Sequence, residues 1–254
     1  IFIEIFIVSQ KAACRDIAAM EPMLPDLQSM ELAELSQKVT LAIGELKAHL
    51  PAALVRRRTS QLVQRMNCYY SNLIEGHKTL PRDIEQAERQ QLAECPQEEH
   101  EKQLLAEAHI QTETAMIELL ESQEGVDVYS SDFICWIHRT FYERLPESMR
   151  EAKTLSGMSY QIEPGQLRDF MVEVGRHTPP DHSVLPQFLD RFRRAYSAPS
   201  ILATQQLVAI AAAHHRLAWI HPFGDGNGRV IRLHSHALLH RHNLHGHGLF
   251  TLSR

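Results

Sequence analysis

The run ILATQQLVAIAAAHHRLAWI, residues 201–220, constrains the fold more than any other stretch of this 254-residue chain. It is apolar on nearly every side of a helical wheel, so it belongs at the centre of the protein with other elements around it. Those elements read as helices too. After Asp26, Leu35, Val39, Ile43, Leu46 and Leu50 mark one helical face until Pro51 interrupts. Leu54, Leu62, Met66, Tyr69 and Leu73 form a second stripe that ends at Gly76. The segment TLPRDIEQAERQQLAE has proline just inside a helix start, and Leu105, Ala108, Thr112, Met116 and Leu119 mark a longer helix stopping near Gly125. Ser131 reads as the N-cap of a helix that presents Phe133, Ile137, Phe141 and Leu145. Between Pro146 and Pro186 the periodicity is lost. There a turn at Pro164–Gly165 precedes an alternation in which Val172 and Val174 flank Glu173, which predicts a small hairpin. The expectation is a mainly α protein: a helical bundle with a small β-hairpin and an N-terminal helical extension.

Composition narrows the function classes. An apolar fraction of 44% supplies a sizeable core, and a formal net charge of -5 argues against a sequence-independent grip on nucleic acid. Cys14, Cys68, Cys95 and Cys135 form no metal-type or redox-type pair, which points to reduced thiols and a cytoplasmic setting. The opening IFIEIFIVSQ is shorter than the roughly 20 residues a bilayer requires, carries Glu4 and has no basic leader. It reads as a strand or tail, and no membrane partner is expected. The chain does not begin with Met, so its natural start is left open.

The central helix runs directly into HPFGDGNGR, residues 221–229, after which Val230, Ile231, Leu233 and Leu238 restart a helical pattern. A helix N-terminus carries unpaired N–H groups and partial positive charge, so this junction is an anion site. Arg229 and Arg232 share a face one turn further on, where two guanidinium groups reach different phosphates of one chain. Asp225 offers the hard oxygen that Mg²⁺ takes when phosphates supply the other ligands. His221 is the loop's one general-base candidate, and Phe223 is expected to turn inward. Together these parts suit displacement at a phosphorus atom of a nucleotide.

HPFGDGNGRVIR resembles the signature of the Fic family, His-x-Phe-x-Asp/Glu-Gly-Asn-Gly-Arg-x-x-Arg, with every specified position present. The resemblance implies a Fic-like helical bundle and transfer of AMP from ATP to a Tyr, Thr or Ser hydroxyl of a target protein, with release of pyrophosphate. It implies catalytic roles for His221 as base, Asn227, Arg229 and Arg232. It further implies a nucleotide site of Gly224, Asp225, Gly226, Asn227, Gly228, Arg229 and Arg232, in which Asp225 holds Mg²⁺ and Gly226, Asn227 and Gly228 form an anion hole. Family members that phosphorylate carry lysine in place of the second glycine, and Gly228 argues against that variant. PGQLRDFMVEVG is similar to the family's flap, which implies a target protein bound edge-on near Val172 to Val174. A homodimer is left open.

A second motif precedes the loop. YYSNLIEG contains Ser71, Glu75 and Gly76 and resembles the inhibitory Ser/Thr-x-x-x-Glu-Gly/Asn helix motif of many Fic proteins. Ser71 and Glu75 share a helix face, and Gly76 ends that helix, so the carboxylate sits at the negative end of the helix dipole and needs an external cation. The resemblance implies that this cation is Arg232. The expected organisation is an N-terminal helical region, residues 1–97, bearing the restraint, and a Fic-like catalytic domain, residues 98–254. Two further readings stay open: a deAMPylase in which Glu75 orients water, and a non-catalytic nucleotide-binding adaptor. A third, from HSHALLHRHNLHGHG, is a metal or pH-responsive site among His234, His236, His240, His242, His245 and His247; helical spacing spreads these around the axis.

Overall fold

The structure is a computed structural model that describes residues 5–6, 14–49, 52–77, 97–153 and 159–251. Among these, seven α-helices form the body: α1 (Met30–Ala48), α2 (Ala53–Ile74), α3 (Gln97–Ser122), α4 (Ser131–Tyr142), α5 (Leu185–Tyr196), α6 (Gln206–Ile220) and α7 (Asn227–Arg241). The protein is therefore mainly α, as expected. The expected helix start at TLPRDIEQAERQQLAE lies outside the described residues.

Helix α6 packs against α5 and α7. Its Ala213, Leu217 and Ile220 have no exposed surface and share one core with Phe188 and Phe192 of α5, Ile137 of α4 and Leu238 of α7. Helix α5 buries Leu185, Phe188, Leu189, Phe192 and Tyr196, a repeat that keeps one stripe inward for three turns. Helix α4 starts one residue from the expected cap: the Ser130 hydroxyl, not that of Ser131, accepts the Phe133 N–H. Helix α3 turns Leu105, Ala108, Thr112 and Met116 inward, as its spacing predicts.

The first two helices depart from their expected faces. In α1 only Ser36 and Ile43 are buried, while Leu35 and Val39 are 51% and 43% exposed. In α2 three residues of the expected stripe point outward, Leu54 at 69%, Leu62 at 54% and Leu73 at 37% exposure, while Met66 and Tyr69 are half-buried. The buried residues are instead Val63, Asn67, Cys68, Ser71 and Asn72. The physical reason is the partner: α2 lies on α3 and α7, where small and polar side chains permit close approach and meet a polar surface.

The strands also differ from expectation. The hairpin is formed by β2 (Glu151–Lys153) and β3 (Ser159–Gln161), antiparallel with Glu151 opposite Gln161. The turn at Pro164–Gly165 exists, with Gly165 at φ 81°, but it leads into irregular chain. Beyond it β4 (Glu173–Val174) pairs antiparallel with β1 (Ile5–Phe6), a contact between segments too distant in sequence for turn signals to announce. Among the described residues no helix is long and apolar enough to cross a membrane.

Candidate functional site

Helix α6 ends at Ile220, and His221 takes a left-handed conformation, φ 49° and ψ 65°, while its N–H still reaches the Leu217 carbonyl. A residue with a Cβ in that region is strained by roughly 1–2 kcal/mol. It is held from outside. The Arg168 guanidinium donates through Nε to the His221 carbonyl at 2.9 Å, and the Arg168 N–H donates to the Pro222 carbonyl at 3.0 Å. The His221 side chain is buried, and its Nε2 has no hydrogen-bond partner among the described residues. Burial, then the Arg168 charge, pushes the imidazole down to about 4, so it is neutral near pH 7 and able to accept a proton.

Phe223 is fully buried and stacks on the His138 ring with centroids 4.0 Å apart. His138 Nδ1 accepts the Gly165 N–H at 2.8 Å, which leaves Nε2 to donate to the Asp225 carbonyl at 3.3 Å. Burial pushes this histidine down to about 4 as well. Asn227 closes the loop: its Oδ1 accepts the Phe223 N–H at 2.9 Å and its Nδ2 donates to the Phe223 carbonyl at 2.8 Å. The Asn227 side chain is thus committed to the loop's own backbone.

The Tyr142 hydroxyl donates to Asp225 Oδ2 at 2.6 Å, and Arg229 Nη2 lies 3.7 Å from the same oxygen. Desolvation pushes the Asp225 carboxyl up, but Arg229, the Tyr142 hydroxyl and the Gly226 N–H outweigh it and hold the group below its ordinary value. Arg229 is buried, with its guanidinium carbon 5.0 Å above the Phe141 ring and its Nε without a hydrogen-bond partner among the described residues. Gly226 caps α7 at φ 75°; a Cβ there would meet the Tyr142 ring and hydroxyl at 2.7 Å. Gly224 is equally confined, between Phe170 and Tyr160, whose hydroxyl donates to its carbonyl at 2.6 Å.

Helix α2 delivers its C-terminus to the same place. Gly76 at φ 84° ends the helix, with its N–H on the Leu73 carbonyl and that of His77 on the Asn72 carbonyl. Glu75, the residue before, faces α7. Arg232 donates to Glu75 Oε1 at 2.5 Å, to the Ser71 hydroxyl at 2.8 Å and to the Ser71 carbonyl at 3.2 Å. Glu75 also lies against the first turn of α7: a Cβ on Gly228 would fall 2.1 Å from Oε1. The carboxylate leaves the negative end of one helix for the positive end of another, where an anion is stabilised.

The structure thus brings His221, Gly224, Asp225, Gly226, Asn227, Gly228, Arg229, Arg232, Ser71 and Glu75 together around one helix start. It does not leave the expected target edge free. Val172 is buried at 1% exposure, and Val174 pairs with Ile5 and bridges to His177. Among the described residues no group of three or more His, Cys, Asp or Glu side chains is arranged to hold a metal ion. In the histidine-rich run His234 bonds the Val128 carbonyl and His236 faces Glu113, while His240, His245 and His247 lie side by side, with ring centroids 4.4 and 5.7 Å apart, without forming such a group. Asp225 still fits a shared Mg²⁺, because it is an ionised hard oxygen donor and that ion uses few protein ligands. Sequence reasoning missed Arg168, His138, Tyr142 and Tyr160. Each reaches the loop from another element, and no local pattern marks it.

Residues 128–239 match the Fic/DOC family. A protein adenylyltransferase Fic from Drosophila erecta is 41% identical over 80 residues, 32% of this chain and 16% of that protein. The protein adenylyltransferase Fic from Drosophila mojavensis is 28% identical over 212 residues, 81% of this chain and 42% of that protein. The chain therefore spans less than half the length of these relatives. Its fold is similar to that of a Fic family protein from Desulfovibrio desulfuricans, with a TM-score of 0.60 at 16% identity over 87% of this chain and 61% of the other. It is similar also to Fic-1 from C. elegans, with a TM-score of 0.60 at 20% identity over 83% of this chain and 59% of the other. At such identities these two likenesses speak to the fold, while the matched segment spans the whole loop from His221 to Arg232. Residues 128–239 are thus a segment of Fic/DOC family type, set in a chain whose fold is similar to that of Fic family proteins.

Proposed function

We propose that the chain is a protein adenylyltransferase that moves AMP from ATP to a hydroxyl of a target protein and is restrained by Glu75. The observation that carries the reading is the junction of α6 and α7, where a neutral, buried imidazole whose Nε2 has no partner among the described residues lies a few residues before a helix N-terminus that carries two arginines. His221 takes the proton as the target oxygen bonds to the α-phosphorus and the bond to pyrophosphate breaks. Arg229 and the first-turn amides of α7 hold the β-phosphate side, and Arg232 takes the γ-phosphate once freed from Glu75. Asp225 would hold Mg²⁺, which when bound would supply charge neutralisation for the leaving pyrophosphate. Residues 1–97 form the restraining part and residues 98–254 the catalytic part. The target's backbone adds at the Glu173–Val174 edge, in competition with Ile5–Phe6.

The restraint follows from charge and space. With Glu75 on Arg232, a γ-phosphate would meet a carboxylate instead of a guanidinium, so ATP binds with its α-phosphorus out of line for attack. The same carboxylate is close enough to the first turn of α7 to orient a water, which is the observation favouring AMP removal as a second activity. A transfer assay with ATP labelled on the α- or γ-phosphate separates the readings. Labelling from the α position, stronger in Glu75→Gly and lost in Glu75→Gly/His221→Ala, is expected. Labelling from the γ position would mean a kinase. Nucleotide binding without transfer in Glu75→Gly would mean an adaptor, and release of AMP from a modified target that depends on Glu75 would mean the reverse reaction.

A further inference from the structure

We propose that Arg168 is a positioning residue that couples the flap segment to His221. Arg168 is 4% exposed, and among the described residues its one opposite charge is Asp181, which acts on it without an ion-pair contact. Its guanidinium is used up on main-chain oxygens from three separate places: Nε on the His221 carbonyl at 2.9 Å, Nη1 on the Phe170 carbonyl at 2.9 Å, and Nη2 on the Pro180 carbonyl at 2.6 Å. Its own N–H adds the Pro222 carbonyl. A buried charge whose hydrogen bonds all go to carbonyls contributes little net stability, because desolvation offsets most of the attraction. What the fork does supply is geometry, since a planar guanidinium fixes the relative directions of its acceptors.

The acceptors show what is being fixed. His221 holds a left-handed backbone, and the direction of its imidazole depends on that backbone. Phe170 and Pro180 bracket β4 in sequence, and Phe170 itself lies against Gly224 of the loop. His177, at the turn after β4, makes a second tie by donating to the Trp219 carbonyl at the end of α6 at 2.8 Å. Movement of the flap on engaging a target is therefore transmitted through Arg168 to the carbonyl of the base. Arg168 touches none of the residues assigned to the nucleotide, so its loss acts on the chemical step and not on ATP binding. This inference rests on the adenylyltransferase reading for its kinetic part alone.

The test uses the full chain carrying Glu75→Gly, with Arg168→Lys and Arg168→Met added separately. Lysine keeps the charge but cannot span three carbonyls, and methionine removes both. Two readouts are taken: kcat and KM for ATP with the α-labelled nucleotide, and hydrogen exchange by mass spectrometry over residues 168–181, 217–228 and the helices α1 to α3. Both variants are expected to lower kcat by about ten- to a hundredfold with KM for ATP changed less than about threefold. Exchange should rise together in 168–181 and 217–228 and stay constant in α1 to α3. A raised KM with kcat kept, a uniform rise in exchange over all helices, or exchange unchanged at 217–228 would overturn the proposal. If Glu75→Gly transfers no label at all, the adenylyltransferase reading fails, and the exchange pattern still decides whether Arg168 couples the two segments.

Discussion

Arg232 grips one turn of α2 at both ends, donating to Ser71 Oγ at 2.8 Å and to Glu75 Oε1 at 2.5 Å, with the arginine and glutamate side chains only 12% and 20% exposed. A pair so placed lies between a surface ion pair and a buried one. Glu75→Gln, which keeps the shape and removes the charge, is expected to cost about 1–3 kcal/mol of stability. It should also raise AMP transfer. Urea unfolding reads the first effect and the α-label assay the second; a variant less stable but no more active would show the pair to be structural alone.

Gly228 sets how closely Glu75 approaches α7. An alanine there suits the helix, but its Cβ falls on Glu75 Oε1, the movable end of a flexible side chain. Gly228→Ala should therefore keep stability within about 1 kcal/mol while displacing Glu75 from Arg232. A double-mutant cycle tests this. The stability effect of Glu75→Gln should shrink in the Gly228→Ala background, and strict additivity would contradict the geometry.

At Gly226 the outcome differs. A left-handed backbone and a rigid Tyr142 ring 2.7 Å from the added Cβ leave nothing that can yield cheaply. Gly226→Ala is expected to lose about 2–4 kcal/mol, measured by urea unfolding, with a loss under about 1 kcal/mol counting against the packing described.

Tyr142 orients the Asp225 carboxylate, and removing the hydroxyl leaves that oxygen with Arg229 at 3.7 Å. Tyr142→Phe should cost about 1–2 kcal/mol and raise the Mg²⁺ concentration required for half-maximal transfer severalfold. A Mg²⁺ titration of the Glu75→Gly enzyme and its Tyr142→Phe derivative would show an unchanged midpoint if the hydroxyl has no such role.

Burial pushes His109, His138, His221, His234 and His245 down to about 4, below the ordinary value near 6.5 that the unfolded chain retains. Between those limits the unfolded state binds more protons, so stability is full above about pH 6.5 and falls as pH drops toward 4. Each group contributes a slope of up to about 1.4 kcal/mol per pH unit in that window. For the reaction, the neutral base persists well below pH 6.5. The acid limb of kcat/KM in Glu75→Gly is expected near pH 4 to 5, provided the fold survives; a limb at 6.5 would mean an ordinary, solvated His221.

What the amino-acid order determined by itself was local and contiguous. The apolar run of α6, the stripe of α5 and the inward face of α3 are periodic patterns that no partner needs to interpret. The loop from His221 to Arg232 was legible for the same reason, since its glycines, carboxylate and arginines lie within one turn of a helix start. The tertiary structure alone decided which face of α2 turns inward. Leu54, Leu62 and Leu73 lie open to solvent because Arg232, 157 residues away from Glu75, required a carboxylate and a hydroxyl opposite it. It likewise paired Ile5–Phe6 with β4, set Tyr142 on Asp225 and placed Arg168 beneath His221. Hydrogen bonds and ion pairs depend on distance through space, and only folding converts a separation of many residues into one of about three ångströms.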